Sequence, residues 1–209
     1  VATAADTPAR TQAERTRTSE RRLIRAALEL IAESGLEGVT LRAIAERAGC
    51  SRGLVNYHFG SKEDLLRKAT RELVRGWSRG IVAPAVGDRV GADALRTVLA
   101  EHLQLLRRSP EARAYYTLVY AALGPMPELQ AELARAHATL RRRMADWIAA
   151  GIAAGAVRAD VDPVQQAILV HGAVRGIVYQ WMLDPGAIDL ERAYDALATT
   201  IERALAPEG

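Results

Sequence analysis

Cysteine occurs once in the 209 residues, at Cys50, so no intramolecular disulfide can form and the chain suits a reducing compartment. Phenylalanine also occurs once, at Phe59, and lysine fills only two of the 28 basic positions, Lys62 and Lys68. Long apolar runs are missing. The richest, Trp147 to Val157, stops at Arg158 after 11 residues, short of the roughly 18 that a membrane helix needs. The first residues carry no apolar segment of the kind a signal peptide requires. The four histidines, His58, His102, His137 and His171, lack metal-ligand spacing with Cys, Asp or Glu. No glycine-rich phosphate loop and no Gly-X-Ser-X-Gly elbow occurs. These absences lead us to expect a soluble cytoplasmic protein without a membrane partner, metal, cofactor or catalytic activity.

What is present points to a packed core. Apolar residues make up 49% and charged residues 25%, ordinary values for a globular chain. The net charge of +3 is unevenly placed. Residues 1–70 hold 12 Lys or Arg against 9 Asp or Glu, whereas the remainder is balanced at 16 of each. The excess positive charge therefore lies where a polyanion can use it.

Residues 1–17 are small, polar and arginine-bearing (Arg10, Arg15, Arg17), and we expect a flexible arm able to add minor-groove contacts. From Ser19, Leu23, Ala27, Leu30 and Ile31 recur at helical spacing, and Gly35 closes the segment. Thr40 can cap a short helix through Leu41, Ile44 and Ala45 that Gly49 ends, and Ser51 can cap a second covering Arg52 to Phe59. Ser61-Lys62-Glu63-Asp64 resembles a capping box opening a long helix through Leu65, Leu66, Leu73 and Trp77, roughly 61–82. Pro84, Gly87 and Gly91 read as a loop. Beyond it we expect helices at 92–108, 110–123, 127–151, 163–183 and 189–206, three of them starting at Pro110, Pro127 and Pro163. No period-2 alternation is visible, so the fold class is all-α.

Segment 40–59 meets the needs of a helix-turn-helix: a support helix, a tight turn, and a second helix with a free outer face. Ile44, Ala48, Val55 and Phe59 can pack the two helices together, leaving Gly53 and Tyr57 opposite and Leu54 and Asn56 beside them. Arg52 suits guanine, Asn56 adenine and Leu54 a thymine methyl. Ser51, Tyr57, His58 and Lys62 are donors suited to phosphate oxygens. Cys50, at the turn, reads as a small filler, with an oxidation switch as the alternative.

The run Gly49-Cys50-Ser51-Arg52-Gly53-Leu54-Val55-Asn56-Tyr57-His58-Phe59-Gly60-Ser61-Lys62-Glu63-Asp64-Leu65 resembles the signature of the TetR family of bacterial transcriptional regulators. Gly38 to Ala45 is similar to the helix that precedes it, and the likeness covers residues 19–70. Asn56 departs from it, standing where many members have an aromatic residue. The resemblance implies a helix-turn-helix domain at 18–70 and a larger helical effector and dimerisation domain at 71–209. It implies a homodimer on near-palindromic double-stranded operator DNA, with Thr40, Tyr57, His58 and Lys62 as phosphate anchors and Arg42 in the same DNA-binding set. It further implies repression relieved by an unidentified small-molecule effector.

In the second domain, Leu190, Tyr194, Leu197, Ile201 and Leu205 form one helical stripe, and Gly172 and Gly176 offer a flat face four residues apart. These are the expected dimer interface, with intramolecular packing as the alternative for the stripe. Eight of the ten aromatics lie beyond residue 70. We take Trp77, Leu103, Leu106, Tyr116, Tyr120, Met144, Trp147, His171 and Arg175 as candidate walls of an effector pocket. His171 and Arg175 can face an anionic or carbonyl-bearing ligand or form a salt bridge at the dimer seam, and the sequence leaves both open. Two rival functions remain at this level: a helical small-molecule binder or enzyme with a degenerate helix-turn-helix, and a regulator without a small-molecule effector.

Overall fold

The computed structural model describes residues 11–207. Ten α-helices and one π-helical turn make up the architecture there, with no strand among the described residues. Helix α1 (Gln12–Ser34) starts earlier than apolar periodicity alone suggests. Thr11 Oγ1 accepts the Glu14 amide at 3.2 Å while Glu14 Oε2 accepts the Thr11 amide at 2.8 Å, a complete capping box. Residues 12–17, expected in the arm, are therefore its first turns, and residues 1–10 of that arm lie outside the described residues.

Helices α2 (Leu41–Arg47) and α3 (Arg52–His58) follow, capped by Thr40 and Ser51, whose hydroxyls accept the amides of Ala43 and Leu54. Between them Gly49 takes φ +61°, the left-handed region that a side chain would resist. Helix α4 (Lys62–Trp77) is capped by Ser61. The expected capping box is incomplete here: Ser61 Oγ bonds both the Asp64 amide and the Asp64 carboxylate, each at 3.0 Å.

The stretch around Pro84 is not a loop. After α4 the chain widens into a π-helical turn (Ser78–Val82) and continues as α5 (Ala83–Val86). Pro84 cannot donate to an i−4 carbonyl, and the π turn relieves the helix at that point, with the Ala83 amide reaching back to Ser78 O. Helices α6 (Gly91–Arg108), α7 (Pro110–Ala121), α8 (Pro127–Ala153), α9 (Pro163–Leu183) and α10 (Leu190–Leu205) complete the molecule.

Two cores result. The first joins Leu23, Ile31, Ile44, Val55, Phe59 and Leu65 of the N-terminal helices to Leu118 of α7 and Leu129 and Leu133 of α8. Three short helices bury little apolar surface by themselves, and this core does not close at residue 70. The second lies among α6, α8, α9 and α10, around Leu95, Leu106, Ile148, Val178, Ile201 and Leu205. Beside it α8 and α6 meet backbone to backbone: a Cβ built on Gly151 would stand 2.7 Å from Gly91 Cα, so α8 touches the start of α6 directly.

Candidate nucleic-acid interface and buried cavity

Helix α3 sorts its residues as its period requires. Val55 and Phe59 are sealed in the first core, Tyr57 is 78% exposed on the opposite side, and Arg52, Gly53 and Asn56 are exposed beside it. Leu54 and His58 are half-buried, with His58 edge-on to Tyr57 at 5.4 Å. Thr40 and Ser51, also exposed, sit at the starts of α2 and α3 on the same segment. A Cβ at Gly53 would meet nothing nearer than Ser51 Oγ at 3.8 Å, so packing within the fold does not require a glycine there.

Two residues of the expected set are already engaged. Arg42 donates to Glu46 at 2.8 Å, an exposed pair one turn apart. Lys62 turns inward: its Nζ donates to Leu36 O at 2.7 Å, and partial burial lowers its pKa. It thus pins the α1–α2 connection, with the remaining ammonium hydrogens left for other acceptors.

Polar contacts bind this head to the rest of the protein. Helix α8 has no capping side chain of its own; Glu63 of α4 supplies one, its Oε1 accepting the amides of Glu128 and Leu129 at 3.0 and 3.1 Å. Arg67 pairs with Glu128, and Arg71 with Glu132. Glu132 is buried, and the Arg71 fork holds its carboxyl down at about 2.

The C-terminal half of α4 walls a cavity of about 340 Å³ shared with α1, α6, α7, α8 and α9. Of the candidate walls, Trp77, Tyr116, Met144, His171 and Arg175 line it. Leu103, Leu106, Tyr120 and Trp147 do not. Leu103 and Leu106 lie on the face of α6 turned into the second core, while Val98, Leu99, His102 and Leu105 of the same helix face the cavity. Tyr120 packs on Tyr179 and bonds Arg175 O at 3.3 Å, and Trp147 lies under Arg143. His171 and Arg175, for which the sequence left a pocket and a dimer seam open, both line this cavity.

A polar network unforeseen in the sequence runs along that wall. His102 bridges two phenols, Tyr116 at 2.9 Å through Nε2 and Tyr194 at 2.6 Å through Nδ1. Arg175 donates from Nε to His171 Nε2 at 3.3 Å and from Nη2 to His137 Nε2 at 3.1 Å, where Tyr115 Oη also bonds at 3.0 Å. Burial, seconded by the Arg175 charge, pushes His102 and His171 down to about 3 and His137 to about 4. The three imidazoles are neutral at physiological pH. Burial raises the Tyr115 and Tyr116 phenols. His102, His137 and Tyr115 escaped sequence reading because a histidine carries no periodic signal and the void exists only in three dimensions.

The expected dimer stripe needs correction. Tyr194, Ile201 and Leu205 are buried within the chain against α6, and Leu197 is half-buried at the edge of the same core. The amphipathic face of α10 is thus used internally. Helix α9 instead leaves Val164, Ile168, Leu169, Tyr179 and Leu183 exposed, with Gly172 exposed and Gly176 half-buried among them. No helix among the described residues is long and apolar enough to cross a membrane.

Residues 23–69 match the family model described as bacterial regulatory proteins, tetR family, and residues 91–206 that of the C-terminal region of BetI-type transcriptional repressors. A protein of Escherichia coli (strain K12) named as an acrEF/envCD operon repressor is 26% identical over 212 residues, covering 95% of this chain and 91% of that one. The HTH-type transcriptional regulator BetI of Burkholderia cenocepacia (strain HI2424) is 38% identical over 79 residues, 37% of this chain and 41% of that one. Among solved structures, one from Rhodococcus sp. described as a TetR-family transcriptional regulator superposes with a TM-score of 0.74 at 27% identity, over 90% of this chain and all of that one. One from Saccharomonospora viridis, described as a transcriptional regulator in complex with choline, has a TM-score of 0.79 at 23% identity, over 92% and 100% of the two chains.

Proposed function

Because the chain belongs to the TetR family of bacterial regulatory proteins, we propose that it is a homodimeric repressor released from a near-palindromic operator by a small molecule in the α4–α9 cavity. The observation that carries this reading is α4 itself. Its first turns, at Leu65 and Leu66, are embedded in the core behind α3, and its last turns, at Val74 and Trp77, form cavity wall. A ligand pressing on Trp77 acts on the same rigid element that holds the reading helix.

In the DNA-bound state Arg52, Leu54 and Asn56 read base edges, while Thr40, Ser51, Tyr57, His58 and the helix N-termini hold phosphates. Gly53 allows the backbone close to the groove. Lys62 and Arg42 act mainly by shaping the head. Two copies joined through the exposed apolar face of α9 place two reading helices on successive major grooves, roughly 34–36 Å apart. The effector binds the released conformation more tightly, with a coupling of about 1–3 kcal/mol.

Selection of the purified protein on random duplex DNA at near-physiological salt tests the reading. Recovery of an inverted repeat is the expected result. An unenriched pool, from a protein that still binds apolar small molecules, would replace it with a helical ligand-binding protein whose helix-turn-helix is vestigial.

A further inference from the structure

Resting on the reading of the cavity as an effector site, we propose that its ligand is an amphipathic monoanion: an apolar body with one anionic acceptor head seated on Arg175. The wall is apolar along most of its extent, with Leu73, Val74, Val98, Leu99, Leu140 and Met144 facing the space. Into it α9 projects one guanidinium. Arg175 donates to two histidines and stacks over Tyr115 and Tyr116, its Cζ at 5.5 and 4.8 Å from the ring centres. None of those partners carries negative charge at physiological pH. Among the described residues no carboxylate pairs with it, and its Nη1 is shut from solvent without a hydrogen-bond partner. A buried charge in that condition is costly until a counter-ion arrives.

A second residue of the wall makes the same demand. Trp77 lines the cavity, and its Nε1 is buried and unpartnered. Indole and guanidinium nitrogens donate and cannot accept, so both orphaned groups on this wall call for a ligand that brings acceptors. An alcohol or ketone satisfies hydrogen bonds alone. Only an anion also cancels the charge, and a planar head can take the Arg175 fork in two bonds.

The approach is charged in the same sense. Val74, Ser78, Ala136 and Thr139 line both the cavity and an outer groove bearing Arg71, Arg75, Arg79 and Arg135 against the single acid Glu132. Arg75 and Arg79 are exposed there, and such a groove draws anions and repels cations. Glu72, an acid on the cavity lining itself, is exposed. A cationic ligand such as the choline of the Saccharomonospora viridis neighbour needs free aromatic faces. Here Arg175 already covers Tyr115 and Tyr116.

The test is a fluorescence titration of the full-length protein with two probes of one ring body: anilinonaphthalene sulfonate, and N-phenyl-naphthylamine, which lacks the sulfonate. The expected result is at least about tenfold tighter binding of the anionic probe, about 1.4 kcal/mol. Arg175→Met should abolish that preference and leave the neutral probe bound as before, and choline should displace neither probe. Equal binding of both probes by the wild-type protein, a preference that survives Arg175→Met, or displacement by choline would overturn the proposal. Should Arg175→Met lose both probes through collapse of the cavity, Arg175→Lys keeps the charge and decides: a preference retained there supports the proposal, and its loss overturns it. Failure of the wild-type protein to bind either probe is a different outcome, one that removes the effector-site reading underneath.

Discussion

Arg71 and Glu132 meet fork to fork across 61 residues of sequence, with Nε to Oε1 at 3.0 Å and Nη2 to Oε2 at 2.6 Å. Arg135 adds a third bond, to Oε2 at 3.0 Å, so the carboxylate joins α4 to α8 while lying buried beneath both arginines. Glu132→Gln keeps the shape and removes the charge, and should cost about 2 kcal/mol at pH 7. The folded carboxyl is depressed from 4.5 to about 2. Its contribution is therefore complete above the unfolded value and declines as the pH falls from there towards 2. Denaturant midpoints of the wild type and Glu132→Gln, measured from pH 7 to pH 3, should converge on acidification. A constant gap would deny Glu132 this role.

The buried histidines set an earlier acid limit. Folded His102, His137 and His171 titrate at about 3, 4 and 3, against 6.5 when unfolded. The unfolded chain binds protons first, so stability conferred by the neutral rings is full above pH 6.5 and is lost as the pH falls towards 3. Thermal midpoints should start to drop just below pH 6.5, before the carboxylates titrate. A His137→Gln, His171→Gln double variant should show a shallower fall, and an unchanged slope would count against this assignment.

Gly172 and Ile201 separate the two faces of the α9–α10 layer. A Cβ at Gly172 meets nothing, so Gly172→Arg should fold with unaltered helicity yet run as a monomer in light scattering. Ile201 is buried within the chain, and Ile201→Ala should lower stability by about 2–5 kcal/mol. A stable, dimeric Gly172→Arg would move the interface elsewhere.

Gly151→Ala tests the α6–α8 contact. The added methyl would lie 2.7 Å from both Gly91 Cα and Val157 Cγ2, and the first of these is backbone that cannot swing aside. Destabilisation of about 1–3 kcal/mol is expected in chemical denaturation, with Gly76→Ala, a helical glycine where nothing lies within 4 Å, as the uncrowded control that shows no loss of stability.

Start and stop signals written locally were legible in the sequence. Pro110, Pro127, Pro163 and Asp162 mark the helix starts because a missing amide or a capping carboxylate acts within one turn. The inward Val55 and outward Tyr57 follow from the helical period alone. The start of α1 was obscured because Thr11 and Glu14 cap a stretch with no apolar face, which the core-packed turns beyond it extend. Helix α10 misled for the opposite reason: a clear stripe states that a helix has a partner, and says nothing of whether the partner is in the same chain. Helix α9 is apolar nearly all round, so no stripe stood out, although one side is buried and the other carries exposed Ile168, Leu169 and Leu183. Which residues of α6 face the cavity depended on how α4 and α9 are set against it, and no spacing within α6 records that.

Glu63 ties the head to the start of α8 by a cap as well as by packing. Its one carboxylate oxygen closes two amides at the start of α8 that have no other side-chain cap. The head cannot slide a fraction of a turn and keep them; it is latched, or it has let go and water must take over both amides. Any movement of α4 away from α8 thus uncovers both amides together, because a single oxygen closes the pair.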